Sequence, residues 1–138
     1  MIILDTNVVS EPLKPRPEPK VLAWLDAQAP ETLYLTSINL AELATGIALL
    51  PAGRKRTALQ LALDQRMMPL FEDRILHFDA KAAHAFAILS AKLQTIGSTM
   101  SFADCAIAAI AVANGFALAT RNTPDFKNTG IALLDPWS

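Results

Sequence analysis

The sequence predicts an α/β domain with a central parallel β-sheet flanked by α-helices. Short apolar runs alternate along the chain with longer segments whose apolar residues recur at helical spacing. The predicted strands are almost wholly apolar, as expected for a parallel sheet that is covered on both faces. The length of 138 residues suits one domain, which we expect to span residues 1–138.

Apolar runs and prolines mark the elements of the first half of the chain. Asp5 ends the first apolar run, Pro30 ends the first helical pattern, and Asn39 is the expected cap of the next helix. In chain order we predict strand 2–4, a stiff non-helical stretch 12–19, helix 21–25, strand 33–36, helix 40–50 and helix 54–68.

Glycines mark the helix ends of the second half. Gly97 follows a long alanine-rich helical pattern, and Gly115 follows a second apolar one, as is typical of residues just after a helix. In chain order we predict strand 74–78, helix 80–95, helix 102–114, strand 116–120 and strand 131–134.

The composition restricts the class of protein. A net charge of -1 argues against a generally basic nucleic-acid binder, so any contact with nucleic acid must be local or metal-mediated. The single cysteine, Cys105, excludes an internal disulfide and a cysteine-based zinc site. The hydrophobic share of 52% indicates either a large core or an apolar surface that a partner covers, and we expect a homodimer or hetero-oligomer interface. Without a secretory segment or a run of about 20 apolar residues, the chain is expected to be cytoplasmic.

Four acidic residues fall where strands end or helices begin. Asp5 closes the first strand, and Asp125 follows the strand at 116–120. Glu42 and Asp104 are expected in the first turns of their helices. The carboxyl ends of parallel strands form one edge of a sheet, where ligands bind, so we expect these acids to lie close together.

Carboxylates gathered in one pocket repel each other, and a divalent cation relieves that repulsion. Ligands that offer only oxygen favour Mg²⁺ or Mn²⁺. Such a cation lowers the pKa of a bound water and holds a phosphate for in-line attack. The acids therefore predict metal-dependent hydrolysis of phosphodiester bonds.

Each acid also has a structural interpretation, which the sequence leaves open. Glu42 and Asp104 stand three residues after Asn39 and Ser101, the spacing of a capping box, and acids in a first turn suit the helix dipole. Asp5 can cap the following segment, and Asp125 can form a turn after a proline.

Several segments resemble the motifs of PIN-domain proteins, in the same order. Ile3-Leu4-Asp5-Thr6-Asn7 resembles the opening of these chains. Residues 41–43, 104–109 and 119–126 resemble the later motifs, and residues 135–137 resemble the end. The likeness covers nearly the whole chain and is closest to the VapC/FitB toxins of type II toxin–antitoxin systems.

This resemblance implies a PIN fold and a Mg²⁺- or Mn²⁺-dependent ribonuclease, homodimeric and inhibited by a cognate antitoxin. It places the acidic site on Asp5, Glu42 and Asp104. Thr6 and Asn7 would then orient the first acid.

The resemblance assigns the remaining part of the pocket less uniquely. Thr120 would lie beside the metal. Relatives carry the fourth acid at the position of Asn122 or of Asp125, and because Asn122 has no charge, Asp125 is our choice. Asn122 would hold a water or the substrate. With neither, three carboxylates would bind one metal.

Local basic residues are candidates for contacts with an RNA backbone. Arg121 is the strongest because it adjoins the proposed site, whereas the run at 54–56 is typical of a solvated helix face. Trp24 and Trp137 are interpreted as packing residues. The full set of basic candidates is Lys14, Arg16, Arg54, Lys55, Arg56, Arg121 and Lys127.

Two other functions compete with the nuclease. Phosphatases that form an aspartyl-phosphate place a second Asp two residues after the nucleophile, where this chain has Asn7. A non-catalytic interaction module would use the acids only as helix caps, and the high apolar content favours such a surface.

Overall fold

Five short parallel strands form the central sheet of the structure, a computed structural model that describes residues 1–138. The order across the sheet is β3-β2-β1-β4-β5. The strands β2 and β3 lie on one side of β1, and β4 and β5 lie on the other, so the direction in which strands are added to the sheet reverses beside β1. In an open parallel sheet this is where ligands bind. The strands are β1 (Ile2–Leu4), β2 (Leu33–Thr36), β3 (Ile75–Leu76), β4 (Ala117–Ala119) and β5 (Leu133–Leu134).

Helices connect and cover the strands. A π-helical turn, Leu63–Met67, joins α4 to α5, and short 3-10 turns lie at Glu11–Leu13 and Pro30–Thr32. Gly115 ends α7 with a φ of 69°, a backbone conformation that glycine adopts without strain. The helices are α1 (Thr6–Ser10), α2 (Pro19–Asp26), α3 (Ser37–Ala48), α4 (Arg54–Ala62), α5 (Met68–Leu70), α6 (Ala80–Thr95), α7 (Phe102–Asn114) and α8 (Thr123–Phe126).

The start of α3 differs from the prediction. Thr36 is the cap, and its hydroxyl accepts a hydrogen bond from Asn39 N at 3.0 Å. The predicted cap at Asn39 was therefore wrong, because Asn39 is the third helical residue of a capping box. As a consequence Glu42 lies in the second turn of α3, not in the first.

The proline-rich stretch and the strand lengths also differ from the prediction. The stretch 12–19 is not wholly non-helical, since a 3-10 turn includes Pro12 and Pro19 begins α2. Proline at the first helical position costs little because its missing N–H would have no partner there. The predicted strand 74–78 is observed only as Ile75–Leu76.

Two apolar clusters cover the two faces of the sheet. Ile3 and Leu118 belong to the cluster beside α6 and α7, whereas Leu4 and Ala119 belong to the one beside α1 and α3. Successive residues of a strand point to opposite faces, so the alternation follows from strand geometry. The expected parallel sheet covered on both faces is confirmed. None of the helices is both long and apolar enough to cross a membrane.

Candidate active site

Asp5 is the first residue after the central strand and the cap of α1. Its backbone is extended, with φ -66° and ψ 160°, and its N–H donates to Ala119 O on the neighbouring strand at 2.9 Å. Its Oδ1 accepts the N–H of Thr6 at 2.9 Å. The capping interpretation of Asp5 therefore holds, and the same contacts fix the carboxylate at the switch point of the sheet.

Two further side chains donate to the carboxylate of Asp5 from opposite sides. Thr120, just after β4, donates its hydroxyl to Oδ2 at 2.7 Å. Asn39, in the first turn of α3, donates its Nδ2 to Oδ1 at 3.3 Å. Both donors are fully buried and Asp5 is only 5% exposed. The carboxylate is thus held by residues that follow β1, β2 and β4.

Glu42 joins this cluster through Thr6. The hydroxyl of Thr6 donates to Glu42 Oε1 at 2.8 Å and accepts from Asn39 Nδ2 at 3.2 Å. Glu42 itself is exposed, on the second turn of α3. Thr6 therefore contacts both acids, through its backbone N–H at Asp5 and through its hydroxyl at Glu42.

Asp104 lies in the first turn of α7, as expected, with its N–H donating to the Ser101 cap at 3.1 Å. The pKa of Asp104 is raised above its ordinary value, first because of burial and then because of the charge of Asp5. The Ser101 side chain lowers it, and the charges of Glu42 and Asp125 raise it further. The charges of the other three predicted acids therefore all act on the carboxyl group of Asp104.

Asn122 and Asp125 enter the site in different ways. Asn122 precedes α8 and donates its backbone N–H to the hydroxyl of Thr120 at 3.0 Å. Asp125, within α8, contributes negative charge at Asp104. The amide of Asn122 therefore supports a group that contacts Asp5, while charge comes from Asp125.

Asn7 and Arg121 link α1 to the segment after β4. The backbone N–H of Arg121 donates to Asn7 Oδ1 at 3.3 Å, so Asn7 orients that segment and not the carboxylate of Asp5. The guanidinium of Arg121 lies over the Trp137 ring, 5.1 Å from its centroid. Trp137 packs against the cluster beside α1 and α3, as predicted, and also supports this arginine.

The donor set fits a hard divalent cation. The acids offer only oxygen. Burial, and then the charges of Asp5, Glu42 and Asp125, raise the pKa of Asp104, so a bound cation would favour its ionised form. In this arrangement no three acidic, histidine or cysteine side chains already form a group that could hold an ion. Binding would therefore need a rearrangement of side chains, and of the four acids Glu42 and Asp125 are exposed.

The sequence matches the PIN domain family over residues 2–131. The chain belongs to the PIN-domain family. This PIN domain is 47% identical over 137 residues to "VapC ribonuclease Y4jK" of Sinorhizobium fredii, covering 99% of this chain and 98% of the relative. It is 44% identical over 137 residues to "Toxin FitB" of Neisseria gonorrhoeae, covering 99% of both chains.

A solved structure supports the same assignment. FitAcB from Neisseria gonorrhoeae resembles this PIN domain with a TM-score of 0.95 and 44% identity, covering 99% of both chains. The expected PIN fold and the resemblance to VapC and FitB proteins are therefore confirmed.

Asn39 belongs to the site, although the sequence did not indicate this. Asn39 was interpreted only as a cap, yet its amide contacts Asp5 and Thr6. The signal available in the sequence was the three-residue spacing from Thr36 to Asn39, which is that of a capping box, although the box usually has Glu or Gln at its last position. That spacing says nothing about Asp5, because the contact spans two different strand ends.

Proposed function

We propose that this PIN domain, residues 1–138, is the toxin of a type II toxin–antitoxin pair and cleaves RNA phosphodiester bonds with a divalent cation. The observation that carries the proposal is the carboxylate of Asp5, which three donors hold at the switch point of the sheet. Its negative charge contributes to the raised pKa of Asp104. The names of the relatives, a ribonuclease and a toxin, support the same activity.

We assign the acids to the cation by their placement. Asp5 and Asp104 would be direct ligands, whereas Glu42 and Asp125 would act directly or through bound waters. A bound Mg²⁺ or Mn²⁺ would supply a water of lowered pKa and neutralise charge on the phosphate. The protein's own contribution is to hold Asp5 in one orientation, so that little reorganisation is needed at the reaction.

The groups around the acids would hold the substrate. Arg121 is exposed, its backbone is tied to Asn7, and its guanidinium is supported by the Trp137 ring. A guanidinium held in this place beside the acidic pocket can contact an RNA phosphate without recognising the base sequence. Thr120 and Asn122 complete the pocket. Thr120 orients Asp5 by donating its hydroxyl to the carboxylate, and Asn122 acts indirectly by donating its backbone N–H to that hydroxyl.

The proposed partners are a cognate antitoxin and a second copy of the chain, in the cytoplasm where RNA is available. An apolar cavity of about 430 Å³ is lined by Leu4, Val9, Leu25 and Phe71 among others, and we propose that an antitoxin segment fills it. Ile88 on α6 is 73% exposed and Phe102 on α7 is 65% exposed. These apolar side chains support a homodimer in which a second copy covers them.

The test compares RNA cleavage by wild-type protein, Asp5→Asn and Glu72→Gln, with Mn²⁺ and with EDTA. Glu72 is an exposed acid on another part of the surface, so its variant controls for a lost charge. We expect cleavage by wild type and by Glu72→Gln only with metal. Loss of an outer group around a metal costs about 10–100-fold, so Asp5→Asn, which changes a proposed direct ligand, should lose at least as much. Undiminished cleavage by a folded Asp5→Asn protein would exclude the assigned role.

Two outcomes would favour the other functions. Turnover of a small phosphate ester at the rate of RNA would indicate a phosphatase, although Asn7 is engaged with Arg121 N in this structure. If calorimetry shows no heat of binding at millimolar Mn²⁺ and RNA is not cleaved, the results would favour a non-catalytic interaction module.

A further inference from the structure

Asn39 lies completely buried between two features of the site. On one side its Oδ1 accepts the hydroxyl of Thr36 at 2.6 Å and the N–H of Thr36 at 3.2 Å. On the other side its Nδ2 donates to Asp5 Oδ1 and to Thr6 Oγ1. Both ends of the amide are therefore satisfied, and its orientation cannot be reversed without leaving like groups facing each other.

We infer that Asn39 is a positioning residue, which transmits the fixed start of α3 to the carboxylate of Asp5 and to the hydroxyl that holds Glu42. The inference rests on the proposed metal-dependent nuclease and adds a residue to it. Asn39 would not touch the cation or RNA, because it is fully buried and its amide is used on both sides.

The geometry of the donors explains why a neutral amide suits this place. Asp5 accepts from Asn39 on Oδ1 and from Thr120 on Oδ2, so the two side chains restrain rotation of the carboxylate from opposite ends. A carboxylate oxygen has two lone-pair directions, and since Oδ1 also accepts the N–H of Thr6, the room for a further ligand is on Oδ2. Outer groups that orient metal-binding carboxylates typically change affinity or activity by about 10–100-fold when removed.

The same amide couples the two acids. Because Asn39 Nδ2 contacts both Asp5 and the hydroxyl of Thr6, and that hydroxyl donates to Glu42, one donor restrains both carboxylates. Loss of the amide should therefore weaken metal binding and turnover together. It should leave the affinity for RNA almost unchanged, since the proposed phosphate contact, Arg121, is tied to Asn7 and Trp137 instead.

The test uses two variants of Asn39 and a matched control. Asn39→Leu preserves the approximate volume without a donor, and Asn39→Ser keeps a polar group whose oxygen is one bond too short to reach Asp5. Asp79→Ala is the control, because Asp79 caps α6 through Ala82 N at 2.9 Å, at another helix start. Each protein is measured for Mn²⁺ affinity by calorimetry, for kcat and KM on RNA, and for thermal midpoint.

We expect both Asn39 variants to lose about tenfold or more in Mn²⁺ affinity and in kcat, with KM for RNA changed less than twofold. Asp79→Ala should lower the thermal midpoint, because α6 loses its cap, and leave Mn²⁺ affinity and kcat unchanged. A second measurement is the double variant Asn39→Ser with Thr120→Val. If both residues clamp one carboxylate, its loss of Mn²⁺ affinity differs from the product of the two single losses.

The outcomes separate this inference from the proposed function. If wild-type protein binds Mn²⁺ and cleaves RNA but a folded Asn39→Ser or Asn39→Leu protein does so equally well, the inference is wrong and the function stands. Losses in the Asn39 variants that Asp79→Ala reproduces would also overturn it, since they would follow from a weakened helix start alone. If wild-type protein neither binds Mn²⁺ nor cleaves RNA, the proposed function fails first.

Discussion

The hydroxyl of Thr120 offers a direct test of how Asp5 is held in the metal-free protein. Thr120→Val replaces the hydroxyl with a methyl group of similar size. The change removes the 2.7 Å hydrogen bond to Asp5 Oδ2 and also the acceptor for Asn122 N. A second variant, Thr120→Ser, keeps the hydroxyl and removes only the methyl group.

The size of the effect follows from burial. Thr120 is 0% exposed and Asp5 is 5% exposed, so water cannot readily replace the lost donor. A buried polar group left without a partner costs about 1–3 kcal/mol, and more when it is charged. We therefore expect Thr120→Val to lower the free energy of unfolding by about 2–4 kcal/mol. Loss of one buried methyl group in Thr120→Ser should cost only about 1 kcal/mol.

Urea unfolding at pH 7 with EDTA, followed by circular dichroism, measures this difference. Added Mn²⁺ should widen the difference in unfolding free energy between Thr120→Val and wild type, because a variant that binds the cation less tightly gains less stability from it. The reasoning fails if Thr120→Val is as stable as Thr120→Ser in EDTA, since Asp5 would then not depend on the hydroxyl.

Three further predictions concern charges around the site. The raised pKa of Asp104 means that its ionised form is unfavourable in the fold, so this carboxyl favours folding at acid pH and loses that contribution as pH rises through its raised pKa. Asp104→Asn should therefore be more stable than wild type at pH 7 in EDTA, and the difference in urea midpoint should vanish near pH 4; a less stable variant at pH 7 would contradict this. The pKa of Glu11 is lowered, first by its hydrogen bond with Lys14, whose Nζ lies 2.8 Å from Glu11 Oε2. A carboxyl whose pKa is lowered in the fold stabilises the fold above its ordinary pKa, and this contribution is lost as pH falls. Glu11→Gln should therefore lower the free energy of unfolding by about 1–3 kcal/mol at pH 7 and by less in acid, as measured by urea unfolding at both pH values. Equal losses at both pH values would argue against the ion pair. Arg121→Ala should weaken RNA binding and reduce the log–log salt slope by roughly 0.7, the value for one phosphate contact on a single strand; fluorescence anisotropy at several salt concentrations checks this, and an unchanged slope would remove Arg121 from the RNA contacts.

Much of the fold could be predicted because it depends on local pattern. The alternation of Ile3 and Leu4 between two apolar clusters follows from strand geometry, and the end of α7 at Gly115 follows from the freedom of glycine at positive φ. The first turn of α7 was also correctly predicted, because the Ser101 cap and Asp104 are three residues apart.

The start of α3 shows where local pattern is insufficient. Thr36 and Asn39 both have side chains that can cap a helix, and propensity does not distinguish them. The tertiary structure decided the matter: both residues are fully buried, and Asn39, at the third helical position, accepts from Thr36 and donates to Asp5. The shift of the helix start also moved Glu42 into the second turn.

What the sequence determined by itself is the set of acids, the end of the strand before Asp5 and the start of the helix that carries Asp104, because these boundaries depend on neighbours within a few residues. Only the tertiary structure decided that Asp5 meets Thr120 across 115 positions of chain and Asn39 across 34, and that Arg121 lies over Trp137. The physical reason is the strand order, β3-β2-β1-β4-β5, which brings the ends of β2 and β4 to either side of β1. That order is set by packing of both faces of the sheet together, a property of the whole chain that no short segment contains.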